Sequence, residues 1–115
     1  MKSDPTTLTE VVDMIIAGMS PESIEVVKQS PPENFHHGFG TDMRNNLGLW
    51  DTNRPISIWF QKHLELSHGD DLSGIIMKMT WAKVRNEFFD PFAEAERYHK
   101  HWRGFGIDPL TQKKL

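Results

Sequence analysis

The chain has 115 residues, enough for one domain and too few for a TIM barrel or a full dinucleotide-binding domain. Hydrophobic residues make up 37% and charged residues 25%, which excludes a disordered chain, and 13 Lys+Arg against 16 Asp+Glu exclude a broadly basic surface. With 7 Phe, 4 Trp and 6 Met, the core is built from few, large side chains, and the absence of cysteine removes disulfides, thiolate metal sites and cysteine nucleophiles.

The first predicted helix is Thr6 to Met19, with Leu8, Val11, Val12, Ile15 and Met19 on one stripe and Thr7 and Glu10 spaced as a capping box. Ser20-Pro21 opens a second helix, since the hydroxyl can cap and proline is favoured at the first helical position. Ile24 and Val27 face inward with Val26 near the edge, and Ser30-Pro31-Pro32 ends the element. Residues 6–30 therefore read as an αα-hairpin. Phe35, Phe39, Met43 and Leu47 recur every four residues and predict a helix over about Asn34 to Asn46, despite Gly38 and Gly40. Thr52 to Leu64 is the next helix, with Ile56, Trp59, Phe60, His63 and Leu64 on one side; Pro55 moves its start toward Asn53 or Arg54.

The longest helix spans 70–88 and carries two stripes, Leu72, Ile75, Ile76, Met79 and Lys83, and Met77, Trp81, Val84 and Phe88. A helix apolar over so much of its circumference belongs at the centre, touched on two sides. Asp90-Pro91 starts a final helix with Phe92, Ala95, Tyr98, His99 and Trp102 inward, ended by Gly104 and Gly106. The tail 108–115 has little to bury and is expected to fray. The fold class is thus all-α: one domain over 1–115, an irregular bundle of five or six helices.

Two segments stand apart, FHHGFGTDMRNNLGLW and SHGDDLSGII. Through Phe35, His37, Gly38, Gly40, Arg44, Asn45, Asn46, Gly48, Leu49 and Trp50, and then His68, Asp70, Asp71, Ser73, Ile75 and Ile76, the chain resembles an uncharacterised small-domain family of phage, plasmid and bacterial proteins. That family brings no established activity. The resemblance implies a host-modulating or inhibitory role.

Ser67 or His68 ahead of Asp70-Asp71 makes a helix start in which a carboxylate can take backbone N–H bonds. The expected arrangement is a structural polar lock of His37, Arg44, Asn45, Trp50, His68, Asp70 and Asp71, with Arg44 gripping a carboxylate two-pronged. The alternative is a small hydrolytic enzyme that binds a metal or an anion through the same His/Asp/Arg cluster. Adjacent His36 and His37 point about 100° apart on a helix, and no HExxH or EF-hand pattern is present, so no metal ligand is assigned. Ser57, Ser67 and Ser73 lie outside any nucleophile elbow, the two GFG triplets lack phosphate-loop spacing, and no catalytic residue or cofactor follows from the pattern.

Arg97, Tyr98, Lys100, Trp102 and Arg103 give the final helix a basic and aromatic edge, suited to a protein partner or, with less support, to a nucleic acid as an accessory protein. No segment approaches the roughly 20 apolar residues of a membrane span, and the start of the chain lacks a secretory pattern, so the expected setting is cytoplasmic with no membrane partner. The favoured function is a small helical protein-interaction module.

Overall fold

A computed structural model describes residues 6–30, 47–49 and 51–115, and places them in five helices. Helix α1, Leu8–Ala17, starts where Thr7 turns extended and its hydroxyl accepts the Glu10 N–H at 3.2 Å. The carboxylate of Glu10 reaches one residue further back than a capping box requires, accepting the Thr6 N–H at 2.8 Å and the Thr6 hydroxyl at 2.9 Å. Those bonds from Thr6 hold the Glu10 carboxyl below its usual range. Helix α2, Pro21–Gln29, follows after a short turn, with Ser20 accepting from the Ser23 N–H at 3.1 Å and Pro21 in the first helical position. Of its nine residues only Val27 is buried; Ile24 is half-buried and Val26 is 48% exposed.

The helix expected over Asn34–Asn46 lies outside the described residues. Helix α3 runs Pro55–His63, so the start sits at Pro55 with Arg54 in the cap position and without a side-chain cap bond. Ile56 and Phe60 point into the core, but His63, expected inward, is exposed and lies against the ring of Trp59 at 4.9 Å. Glu65 then adopts φ 54°, and the Leu66 N–H turns back toward the Phe60 carbonyl, which buries Leu66 completely.

Helix α4, Gly69–Val84, is the centre of the molecule and packs against α1, α2 and the last helix. Leu72, Ile75, Ile76, Met77 and Trp81 are all buried, and they draw Leu8, Val11 and Val12 from α1 and Val27 from α2 into one core. The helix stops short of residue 88. Asn86 takes a left-handed φ of 58°, its N–H bonds the Lys83 carbonyl, and the Glu87 N–H bonds the Ala82 carbonyl at 2.8 Å. This is a Schellman stop, which asparagine supports because its short side chain tolerates the left-handed region. Phe88, expected on the inner stripe, falls beyond the stop and is 91% exposed.

Helix α5, Pro91–Gly104, is capped by Asp90, whose carboxylate accepts the N–H groups of Phe92 and Ala93. Ala95 and His99 are buried and Tyr98 and Trp102 half-buried, as the spacing predicts; Phe92 is the exception at 58% exposed. It sits in the first turn, beside Lys62 and His63 at the mouth of a hollow, outside the core. Gly106, at φ 73°, closes α5 with the same two bonds that close α4, to Arg103 and Trp102. The tail does not stream away. Asp108 caps a turn by accepting from Leu110 and Thr111, the Leu115 N–H bonds the Gly106 carbonyl, and Pro109 is buried. The expectation of fraying overlooked this Asp108-Pro109 turn, which supplies the backbone with partners of its own. Among the described residues there is one isolated bridge, Ile107 to Lys114, and no strand.

Candidate functional site

The polar cluster at the start of α4 is organised from the helix outward. His68 occupies the cap position, and its Nδ1 accepts the Asp70 N–H at 3.2 Å, so an imidazole performs the task expected of an aspartate. Asp71 is 5% exposed and turns inward, where its Oδ2 accepts the indole N–H of Trp102 at 2.7 Å. Burial raises the Asp71 carboxyl above its usual range, against the opposing effects of the Trp102 bond and of His68. The His68 ring leans on the same indole, with centroids 5.3 Å apart. Ser73 is fully buried and donates to the Asp70 carbonyl at 3.0 Å, while the hydroxyl of Ser67 donates to the Leu110 carbonyl of the tail.

Of the residues expected in the lock, the structure brings together His68, Asp70 and Asp71; His37, Arg44, Asn45 and Trp50 lie outside the described residues. The tryptophan that does reach the carboxylate is Trp102, which the sequence had suggested for an outer binding edge. Tyr98 is likewise turned toward α4. Its hydroxyl lies over Gly74, where a β-carbon would clash with it, and burial together with Glu94 and Asp71 pushes the phenol up to about 12. The sequence signal for this close approach was Gly74 itself, a helix-interior glycine in an apolar run, where alanine is ordinarily preferred by about 1 kcal/mol.

The rest of the basic edge faces outward: Arg97, Lys100 and Arg103 are exposed. Arg97 is not free charge, because its Nη1 meets Glu94 at 2.9 Å, and Glu94 also binds Lys78. Glu94 is 7% exposed, so this carboxylate is a buried anion shared by two cations. Among the described residues no group of three His, Asp or Glu is placed to hold a metal ion. Near the end of α3, a hollow of about 390 Å³ is lined by Lys62, His63, Glu65, Glu96 and His99. Its buried His99 donates from Nε2 to the Leu64 carbonyl at 2.8 Å and faces Glu96 at 3.4 Å, so it is tied to the scaffold.

A different surface has the form of a binding cleft. It opens between α1 and α2, holds about 520 Å³, and is lined by Met14, Ile15, Gly18, Met19, Glu22, Ser23, Val26 and Val27 with Trp81 from α4. Its base is fixed from α4: the Trp81 indole donates to the Ser30 carbonyl at 2.9 Å, and Arg85 donates to the carbonyls of Lys28 and Ser30. These bonds satisfy carbonyls left open at the end of α2 and pin its last turn. Sequence periodicity assigned Met19 and Val27 to the core and Val26 to its edge, without showing that the walls stop short of meeting. The volume falls in the usual range for binding cavities, and the lining is mostly apolar.

Among the described residues no helix is long and apolar enough to cross a membrane. Residues 4–84 match the profile of a family described as a domain of unknown function, DUF6794. No curated protein and no solved structure matches the chain.

Proposed function

Starting from the membership of this chain in the DUF6794 family, we propose that it is a small helical protein-interaction module whose binding surface is the cleft between α1 and α2. The observation that carries this reading is an open apolar cleft with adaptable methionine walls and a pinned base, every lining residue of which belongs to the family segment. Flexible thioethers can repack around a partner's side chains, and Val26 already stands half in solvent. In its narrower form, the partner is a host complex that this protein inhibits or modulates in the cytoplasm.

The test is capture from the native host with the wild-type chain and with a folded Val26→Asp variant. A discrete partner held by the first and lost by the second supports the module. Equal recovery of every captured protein by both chains overturns the cleft as the binding surface.

A second reading, a nucleic-acid accessory protein, is favoured by the exposure of Arg97, Lys100 and Arg103 along α5. It predicts binding to nucleic acid that falls steeply with salt and is lost in Arg97→Glu/Lys100→Glu. Glu94, which already neutralises Arg97, weakens this reading. The hydrolytic alternative loses ground for a related reason, because Asp71 is buried and its Oδ2 already takes the N–H of Trp102.

A further inference from the structure

Resting on the reading of the cleft as the partner-binding surface, we propose that its occupant is a single amphipathic α-helix of a protein partner, carrying an aliphatic stripe flanked by lysine or arginine. The lining argues for a helix over a small polar molecule. Such a ligand needs several converging polar groups to fix it. Here the Ser23 N–H donates to Ser20 and its hydroxyl oxygen accepts from Ser20, which leaves one hydroxyl proton and the Glu22 carboxylate as the directional groups. A helix satisfies its own backbone and needs only apolar contact along one face. Strand addition is excluded at this place, because both walls are helices and offer no sheet edge.

The charge of the occupant follows from which neighbouring groups are already committed. Lys83 is paired with Asp13, and the guanidinium of Arg85 is turned onto the carbonyls of Lys28 and Ser30. Glu25 accepts from Gln29 at 3.0 Å. Glu22 is the one charged residue in the lining, and among the described residues it takes part in no ion pair. A cationic side chain beside the stripe meets it, and an acidic one is repelled. Helix-in-groove recognition with methionine walls uses this combination of an apolar anchor and a charge that sets partner choice.

The experiment titrates the full chain with a synthetic helix of about 18 residues, leucines at i, i+3/i+4 and i+7 spacing and lysines flanking them, and with its glutamate counterpart. Calorimetry reads affinity, amide resonances read location, and circular dichroism confirms that each variant is folded. The expected result is binding of the lysine helix with shifts concentrated around Met14, Met19 and Val26. Binding should weaken about three- to tenfold in Glu22→Lys or with the glutamate helix, a difference that shrinks with added salt. Val26→Asp should abolish it. Equal binding of both helices, or no change in Glu22→Lys, overturns the basic partner. Octylamine shifting the same resonances at the same concentration as the peptide overturns the helix in favour of a small cationic amphiphile. A dimer of the free chain that Val26→Asp dissolves overturns it in favour of a second copy. If neither peptide touches the cleft while capture of the native partner still depends on Val26, the helical occupant falls and the module stands; if capture ignores Val26, the module's cleft falls as well.

Discussion

Helix α4 is flanked on two sides by helices held to it in different ways. Against α1 and α2 the buried contact is apolar, with Val11, Val12 and Val27 meeting the aliphatic and aromatic side chains of α4, and the polar bonds, from Trp81 and Arg85 to the Lys28 and Ser30 carbonyls and from Lys83 to Asp13, gather in the last turn of α4 and just beyond it. Against α5 it is largely polar: Tyr98 over Gly74, Trp102 on Asp71, and Lys78 on Glu94. Apolar packing is tolerant of position, so α2 can bury one residue and leave an open cleft beside it. Hydrogen bonds and buried charges are not tolerant, so α5 is fixed in register residue by residue. The side that is loosely filled is the one available to a partner.

Substitutions at both interfaces break this comparison in descending order of effect, each read by urea denaturation. Ile76→Ala or Trp81→Ala removes a buried side chain that the core cannot replace and should cost about 2–5 kcal/mol. On the polar side, Glu94→Ala strands the partly buried ammonium of Lys78 and should cost about 2–3 kcal/mol. Gly74→Ala should cost about 1–2 kcal/mol by displacing Tyr98, and Tyr98→Phe in the same chain should recover much of that loss, because the removed hydroxyl is the atom in the way. Val26→Ser, on the cleft wall, should change stability by no more than about 0.5 kcal/mol. A large loss there would show that α2 is held as firmly as α5.

Asp71 sharpens the contrast through pH. Its folded carboxyl lies above the ordinary value of 3.8 because burial disfavours the charge. The folded chain therefore holds the proton more tightly than the unfolded chain, so this contribution is full below about that ordinary value and is lost as pH rises through the raised one. Asp71→Asn keeps an acceptor for Trp102 and should flatten that fall, measured as urea midpoints between acid and neutral pH. An unchanged profile would mean that Asp71 is not the titrating group.

Periodicity and caps made most of the helices legible. Thr7, Ser20, Pro55 and Asp90-Pro91 all mark starts within a residue or two, because the cap bonds of Thr7, Ser20 and Asp90 are local and Pro55 acts through its own fixed φ. The end of α4 was misplaced since Asn86 carries its stop, and asparagine announces a left-handed turn less strongly than Gly106 does at the end of α5. In the candidate site, spacing turned Trp102 inward but left its partner illegible: nothing local in HKHW tells an indole that bonds a carboxylate 31 residues earlier from one whose edge faces a partner. The cleft was hidden for a further reason. Helical spacing says which residues share a face, and two faces can share a core at one end while standing apart at the other.

The joining of the tail to the start of α4 has a consequence for how the chain is made. Trp102 reaches back 31 residues to Asp71, and the Ser67 hydroxyl reaches forward 43 residues to Leu110. During synthesis α1 and α2 emerge before the central helix on which they pack, and the entrance of α4 acquires these partners only once residues 102–110 have left the ribosome. Until then Asp71 has its carboxylate in water, and the first turn of the spine lacks the groups that hold it. Completion of this entrance is thereby tied to the emergence of residues 102–110.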